Sequence, residues 1–86
     1  MIVEVRLFAT LSSYLPQDDR ATGATGLDVP AGATVNDVAV RLGIPTALAR
    51  VALVNGKEAE PERHLEAGDV VTLFPPLMGG SERLSG

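Results

Sequence analysis

Two adjacent prolines, Pro75 and Pro76, set the tightest limit on how this chain can fold. They follow an apolar run, Asp69-Val-Val-Thr-Leu-Phe74, and precede Leu77, Met78, Gly79 and Gly80. Proline has no backbone N–H, so sheet pairing must stop at Phe74. A residue before proline is also biased away from helix, and the pair favours an extended chain. The spacing therefore predicts a strand that ends at Phe74 and a stiff segment that projects beyond it. Leu77 and Met78 on a projecting segment suit a groove on a partner. Gly79 and Gly80 lack Cβ atoms, which lets a backbone enter a channel too narrow for side chains. A glycine pair alone is weak evidence, since roughly 0.4 such pairs are expected by chance in a chain this long.

The remainder reads as a small scaffold. Eighty-six residues make one domain. Such a chain buries only roughly 60–65% of the surface its unfolded form exposes, so the core must be well packed. Hydrophobic residues make up 45% of the chain, but the only aromatics are Phe8, Tyr14 and Phe74, so that core is aliphatic. Val3, Val5 and Leu7 alternate with Glu4, Arg6 and Phe8, the pattern of a half-buried strand. Leu11 and Leu15 stand four apart and suit one or two helical turns ended by Pro16. Residues 17–26 are polar and read as a mobile loop. Thr25 to Pro30 reads as a second strand with Leu27 and Val29 inward, forming a hairpin with the first.

Thr34 to Leu42 carries the strongest helix signal. Thr34 is an N-cap candidate and Asp37 completes a capping-box-like pair. Val35, Val38, Ala39 and Leu42 repeat at helical spacing, and Gly43 stands where a left-handed cap would end the helix. Thr46 to Arg50 suits one further turn. Val51 to Asn55 reads as a third strand, with Asn55-Gly56 as a hairpin turn into a short return strand, Lys57 to Ala59. The order is strand, strand, helix, strand, short strand, strand. It predicts an α+β, ubiquitin-like β-grasp: a mixed sheet of four to five strands, one main helix across one face, and the first and last strands side by side in the middle.

Charge and composition exclude several functions. There is no cysteine, so disulfides, thiolate metal sites and a cysteine nucleophile are absent. The single histidine, His64, lies among charged residues and reads as a solvated loop residue, and no metal site is expected. Seven basic against 11 acidic side chains give a net charge of −4, with no basic stripe, so neither nucleic acid nor membrane is an expected partner. The first residues are neither a signal peptide nor a membrane span, and a cytoplasmic location is expected.

The motif Phe74-Pro-Pro-Leu-Met-Gly-Gly80, after Gly68-Asp-Val-Val-Thr-Leu73, resembles the end of the small subunit of molybdopterin synthase. That protein is one of the ubiquitin-like sulfur carriers, with the thiamine-pathway carrier as its sibling. The resemblance spans Ile2 to Gly80 and includes Val3-Glu-Val-Arg-Leu-Phe-Ala9, the helix start at Thr34 and the Val54-Asn-Gly56 turn. It implies that an ATP-dependent activating enzyme adenylates the C-terminal carboxylate of Gly80, that a sulfur donor converts it to a thiocarboxylate, and that this sulfur is delivered in a synthase large subunit. The expected use is molybdopterin (molybdenum cofactor) biosynthesis. Gly80 would be the reacting residue and Gly79 the slim backbone behind it, with Phe74, Pro75, Pro76, Leu77, Met78 and Phe8 as the partner-binding set. The chain itself would be a non-catalytic carrier with no bound cofactor, ATP being used by its activating enzyme.

One departure from the family matters. Ser81 to Gly86 follow Gly80, whose carbonyl is then an amide and cannot be adenylated. The expected organisation is a β-grasp domain at 1–74, a projecting tail at 75–80 and an extension at 81–86. Three readings of the extension stay open: removal by a processing protease, a cloning residue, or retention on a binding module without tail chemistry. Three functions stay open with them: a sulfur carrier for molybdopterin, cysteine or another metabolite; a ubiquitin-like protein modifier, whose own chains could use only the sole lysine, Lys57, or the amino terminus; and a β-grasp interaction domain.

Overall fold

A computed structural model describes residues 1–45 and 50–76. Five strands form one sheet: β1 (Ile2–Leu7), β2 (Ala24–Asp28), β3 (Val51–Val54), β4 (Lys57–Glu58) and β5 (Val70–Phe74), in the spatial order β2-β1-β5-β3-β4. β1 and β5 run parallel in the centre, in the register Glu4↔Val70 to Leu7↔Leu73. The other neighbours are antiparallel. This is the mixed five-stranded β-grasp sheet that the element order predicts.

One helix, α1 (Val35–Arg41), supplies the second layer. Thr34 Oγ1 accepts the Asp37 N–H at 3.2 Å, and the Asp37 carboxylate accepts the Thr34 N–H at 2.9 Å, so the capping box is complete. Gly43, at φ +82°, ends the helix in the left-handed region that glycine adopts without a Cβ clash. Val35, Val38 and Ala39 pack into the same buried cluster as Val3, Val5 and Leu7 of β1 and Val71 and Leu73 of β5. Leu42, expected inward, is only partly buried at its edge.

Two 3-10 segments, Ala9–Tyr14 and Gln17–Asp19, follow β1. The first buries Leu11 and Leu15 as their spacing predicts. The second corrects the reading of residues 17–26 as a mobile loop. Asp19 N–H donates to the Pro16 carbonyl, and the Arg20 guanidinium donates to the carbonyls of Leu15 and Ser13. Those bonds order a polar stretch that has no apolar periodicity to announce it. β2 then begins at Ala24, inside the expected loop, because the ladder with β1 continues to Arg6↔Ala24. The turn expected at Thr46 to Arg50 falls mainly on residues outside the described ones. Among the described residues no helix is long and apolar enough to cross a membrane.

Candidate functional site

β5 ends at Phe74, where Pro75 and Pro76 follow, and the site is built around that end. β5 is central, held by β1 on one side and β3 on the other. Its inward residues, Val71 and Leu73, are fully buried. Its outward residues, Val70, Thr72 and Phe74, face away from α1 and are half-buried. A strand gripped on both edges cannot tilt freely, so the direction in which Phe74 hands the chain to Pro75 and Pro76 is set by the sheet.

Phe8 stands beside that exit. Its backbone is extended, its N–H donates to the Leu73 carbonyl at 3.2 Å, and it lies one step beyond the Leu7↔Leu73 pair. Continuing that register sets Phe8 next to Phe74, and Phe74 pairs with Val51 on its other side. Phe8, Phe74 and Val51 thus form an apolar row on the outer face at the end of β5, beside Pro75. Phe8 is 50% exposed, so the segment carrying Tyr14 leaves it uncovered, while Tyr14 itself packs at the edge of the core. The chain turns sharply just after the ring, with Ala9 at φ +55°. A left-handed alanine is disfavoured, which shows that surrounding contacts hold this corner in place.

Pro75 and Pro76 are half-buried. Leu77, Met78, Gly79 and Gly80, and the extension Ser81 to Gly86, lie outside the described residues. The structure therefore brings Phe8, Phe74, Pro75 and Pro76 to one end of the sheet. At the other end of β1, an open depression of about 550 Å³ is lined by Ile2, Glu4, Asp19, Thr25 and Gly68 among others. It is remote from Phe8 and Phe74, and no acid–base pair is assembled among its described lining residues.

His64 is exposed, with Nδ1 2.9 Å from the Gly32 carbonyl, and its backbone forms an isolated bridge with Thr34. It fastens the loop before β5 to the start of α1. Among the described residues no group of three or more His, Asp or Glu converges as a metal site would require.

Sequence reasoning missed one polar cluster. Asn55, at φ +53°, donates from Nδ2 to Asp69 Oδ1 at 3.0 Å and accepts the Val70 N–H on Oδ1 at 2.9 Å. Asp69 Oδ2 also accepts the Glu66 N–H at 2.8 Å. That backbone bond, then the Asn55 amide, holds the Asp69 carboxyl below the usual carboxylate value. The cluster ties the β3–β4 turn to the start of β5. Its only sequence signal is an Asn-Gly turn followed, 14 residues on, by an aspartate at a strand start.

Comparison with known proteins bears on the whole scaffold. The family model described as Mut7-C ubiquitin matches residues 1–78. The crystal structure of SAMP1 from Haloferax volcanii superposes with a TM-score of 0.71 at 26% identity, over 93% of this chain and 100% of that one. The putative molybdopterin converting factor, subunit 1, from Pyrococcus furiosus gives a TM-score of 0.66 at 25% identity, over 88% of this chain and 98% of that one. A D-ribose pyranase from Pseudomonas putida is 32% identical over 85 residues, which are 99% of this chain and 64% of that protein. The chain thus spans somewhat less than two thirds of that relative's length. These likenesses agree with the expected ubiquitin-like sulfur carriers of the molybdopterin type.

Proposed function

This chain belongs to the Mut7-C ubiquitin family, and from that premise we propose that it is a sulfur carrier activated at the carboxylate of Gly80. The observation that carries the reading is the exit of the chain from a doubly held central strand into Pro75-Pro76, beside an exposed Phe8. A carrier needs a rigid body, a docking patch and a projecting end at a defined distance from that patch, and no acid, base or nucleophile of its own. A carboxylate is a poor electrophile, so an activating enzyme joins it to AMP. A sulfur donor displaces AMP, and the thiocarboxylate travels to an accepting enzyme. Phe8, Phe74 and the proline pair orient the tail, Leu77 and Met78 anchor it, and Gly79 and Gly80 thread it. The likeness to a molybdopterin converting factor subunit supports a synthase large subunit as the acceptor and molybdopterin as the product.

Ser81 to Gly86 must be removed before this chemistry, and a protease is the agent we propose. Six extended residues span up to roughly 20 Å, which would carry any carboxylate at or beyond Gly86 far past a bound nucleotide. A misplacement of even about 1 Å can cost on the order of a hundredfold in rate. ATP–pyrophosphate exchange with the cognate activating enzyme tests this directly. A chain stopped at Gly80 should exchange and the 86-residue chain should not. Equal exchange by both would overturn the precursor reading. Intact mass of the protein from its native host gives a second test: a species ending at Gly80, with oxygen or with sulfur in the carboxylate, supports the carrier. Only species that retain residues beyond Gly80 would favour a β-grasp interaction domain instead.

A further inference from the structure

The Asn55–Gly56 turn carries chemistry that the tail reaction does not use. An asparagine followed by glycine readily loses its side-chain amide, because no Cβ shields the glycine nitrogen. That nitrogen bonds to Asn55 Cγ, the Cγ–Nδ2 bond breaks, and ammonia leaves with the proton of the Gly56 amide. Water then opens the cyclic imide at either carbonyl and yields aspartate or isoaspartate. The net change is one water consumed and one ammonia released, with no oxidant or reductant.

The geometry here opposes the first step. Asn55 reaches β5 through three hydrogen bonds. Nδ2 donates to Asp69 Oδ1 at 3.0 Å, Oδ1 accepts the Val70 N–H at 2.9 Å, and the backbone N–H donates to the Val70 carbonyl at 2.8 Å. Both polar arms of the amide are engaged, so Cγ cannot swing towards the Gly56 nitrogen until both side-chain bonds break. We propose that Asn55 is a deamidation site gated by the Asn55–Asp69–Val70 clamp: the closed clamp suppresses conversion, and conversion, once it occurs, holds the clamp open. The second half follows from the product. A carboxylate at position 55 has no N–H to offer Asp69, and two carboxylates then face one another where a hydrogen bond stood. Isoaspartate also lengthens the backbone inside the turn. The element released is β4, an edge strand of two residues, Lys57–Glu58, paired among the described residues only with β3. The modification would therefore loosen one edge of the sheet.

The test follows deamidation of the 86-residue chain at neutral pH by peptide mapping, which resolves Asn, Asp and isoaspartate at position 55. Native protein is compared with the same chain in denaturant, with Asp69→Ala and with Val35→Ala. The last variant weakens the core without touching the clamp. Native protein should convert on the order of tenfold or more slowly than unfolded chain. Asp69→Ala, which loses a charge-assisted bond, should convert on the order of tenfold faster than native wild type. Equal rates in native and unfolded chain would overturn the proposal. So would an Asp69→Ala rate no higher than that of Val35→Ala at matched global stability.

Discussion

Asn55 and Asp69, 14 residues apart, meet with Asn55 Nδ2 3.0 Å from Asp69 Oδ1. The contact joins the tip of the β3–β4 turn to the residue that opens β5. Asp69 also accepts the Glu66 N–H, and its own carbonyl accepts the Glu4 N–H at 2.9 Å, which anchors β1. One residue thus helps to set the positions of three strands.

This arrangement makes stability depend on pH in a stated direction. The Glu66 N–H and the Asn55 amide lower the Asp69 pKa on folding. A group of that kind contributes stability above its unfolded value, about 3.9, and the contribution fades as pH falls through the lower folded value. Both bonds to Asp69 are open to solvent, which screens them, so Asp69→Ala should cost less than about 1 kcal/mol at neutral pH and progressively less below about pH 4. Thermal midpoints of both proteins across an acid series should converge at the low end.

Asn55→Asp should show a deficit that also shrinks on acidification, but through relief of repulsion rather than loss of a native bond. At neutral pH it places a carboxylate against Asp69 and should destabilise by roughly 1–2 kcal/mol. Protonating either group restores a donor. The deficit relative to wild type should shrink as pH falls from 7 towards about 4, read by denaturant unfolding at each pH.

Thr34→Ala removes half of the capping box of a seven-residue helix. The expected loss is about 1 kcal/mol. So short a helix relies on its ends and on Val35, Val38 and Ala39, so the loss should appear as faster amide exchange in the first turn of α1.

Ala9→Gly relieves the left-handed corner after Phe8. The relief of about 1–2 kcal/mol exceeds the usual backbone-entropy cost of glycine, about 0.5–1 kcal/mol. The variant should be more stable by about 0.5–1 kcal/mol. An unchanged or lower thermal midpoint would show that the corner is unstrained.

Phe8→Ala should barely alter stability, by less than about 0.5 kcal/mol, because half the side chain is already in water. If the ring docks the activating enzyme, affinity for that enzyme should fall by roughly tenfold or more. Phe74→Ala should act likewise, with a larger stability loss because its ring is half-buried between neighbouring strands.

Periodicity alone determined most of the scaffold. The alternation of Val3, Val5 and Leu7, the helical repeat from Val35 and the Asn55-Gly56 turn each report on neighbours within a few residues, where sequence spacing and spatial spacing coincide. The proline pair likewise marked where pairing ends. The tertiary structure alone decided what depends on distant residues. Residues 17–23 became an ordered stretch through the reach of Arg20 to carbonyls earlier in the chain. Phe8 became the neighbour of Phe74 because β1 and β5, whose partners lie 66 residues apart, pair in parallel register. Asn55 found Asp69 because the same sheet folds β3 against β5. Hydrogen bonds between polar groups far apart in sequence leave no period to read, so only the closed sheet reveals them.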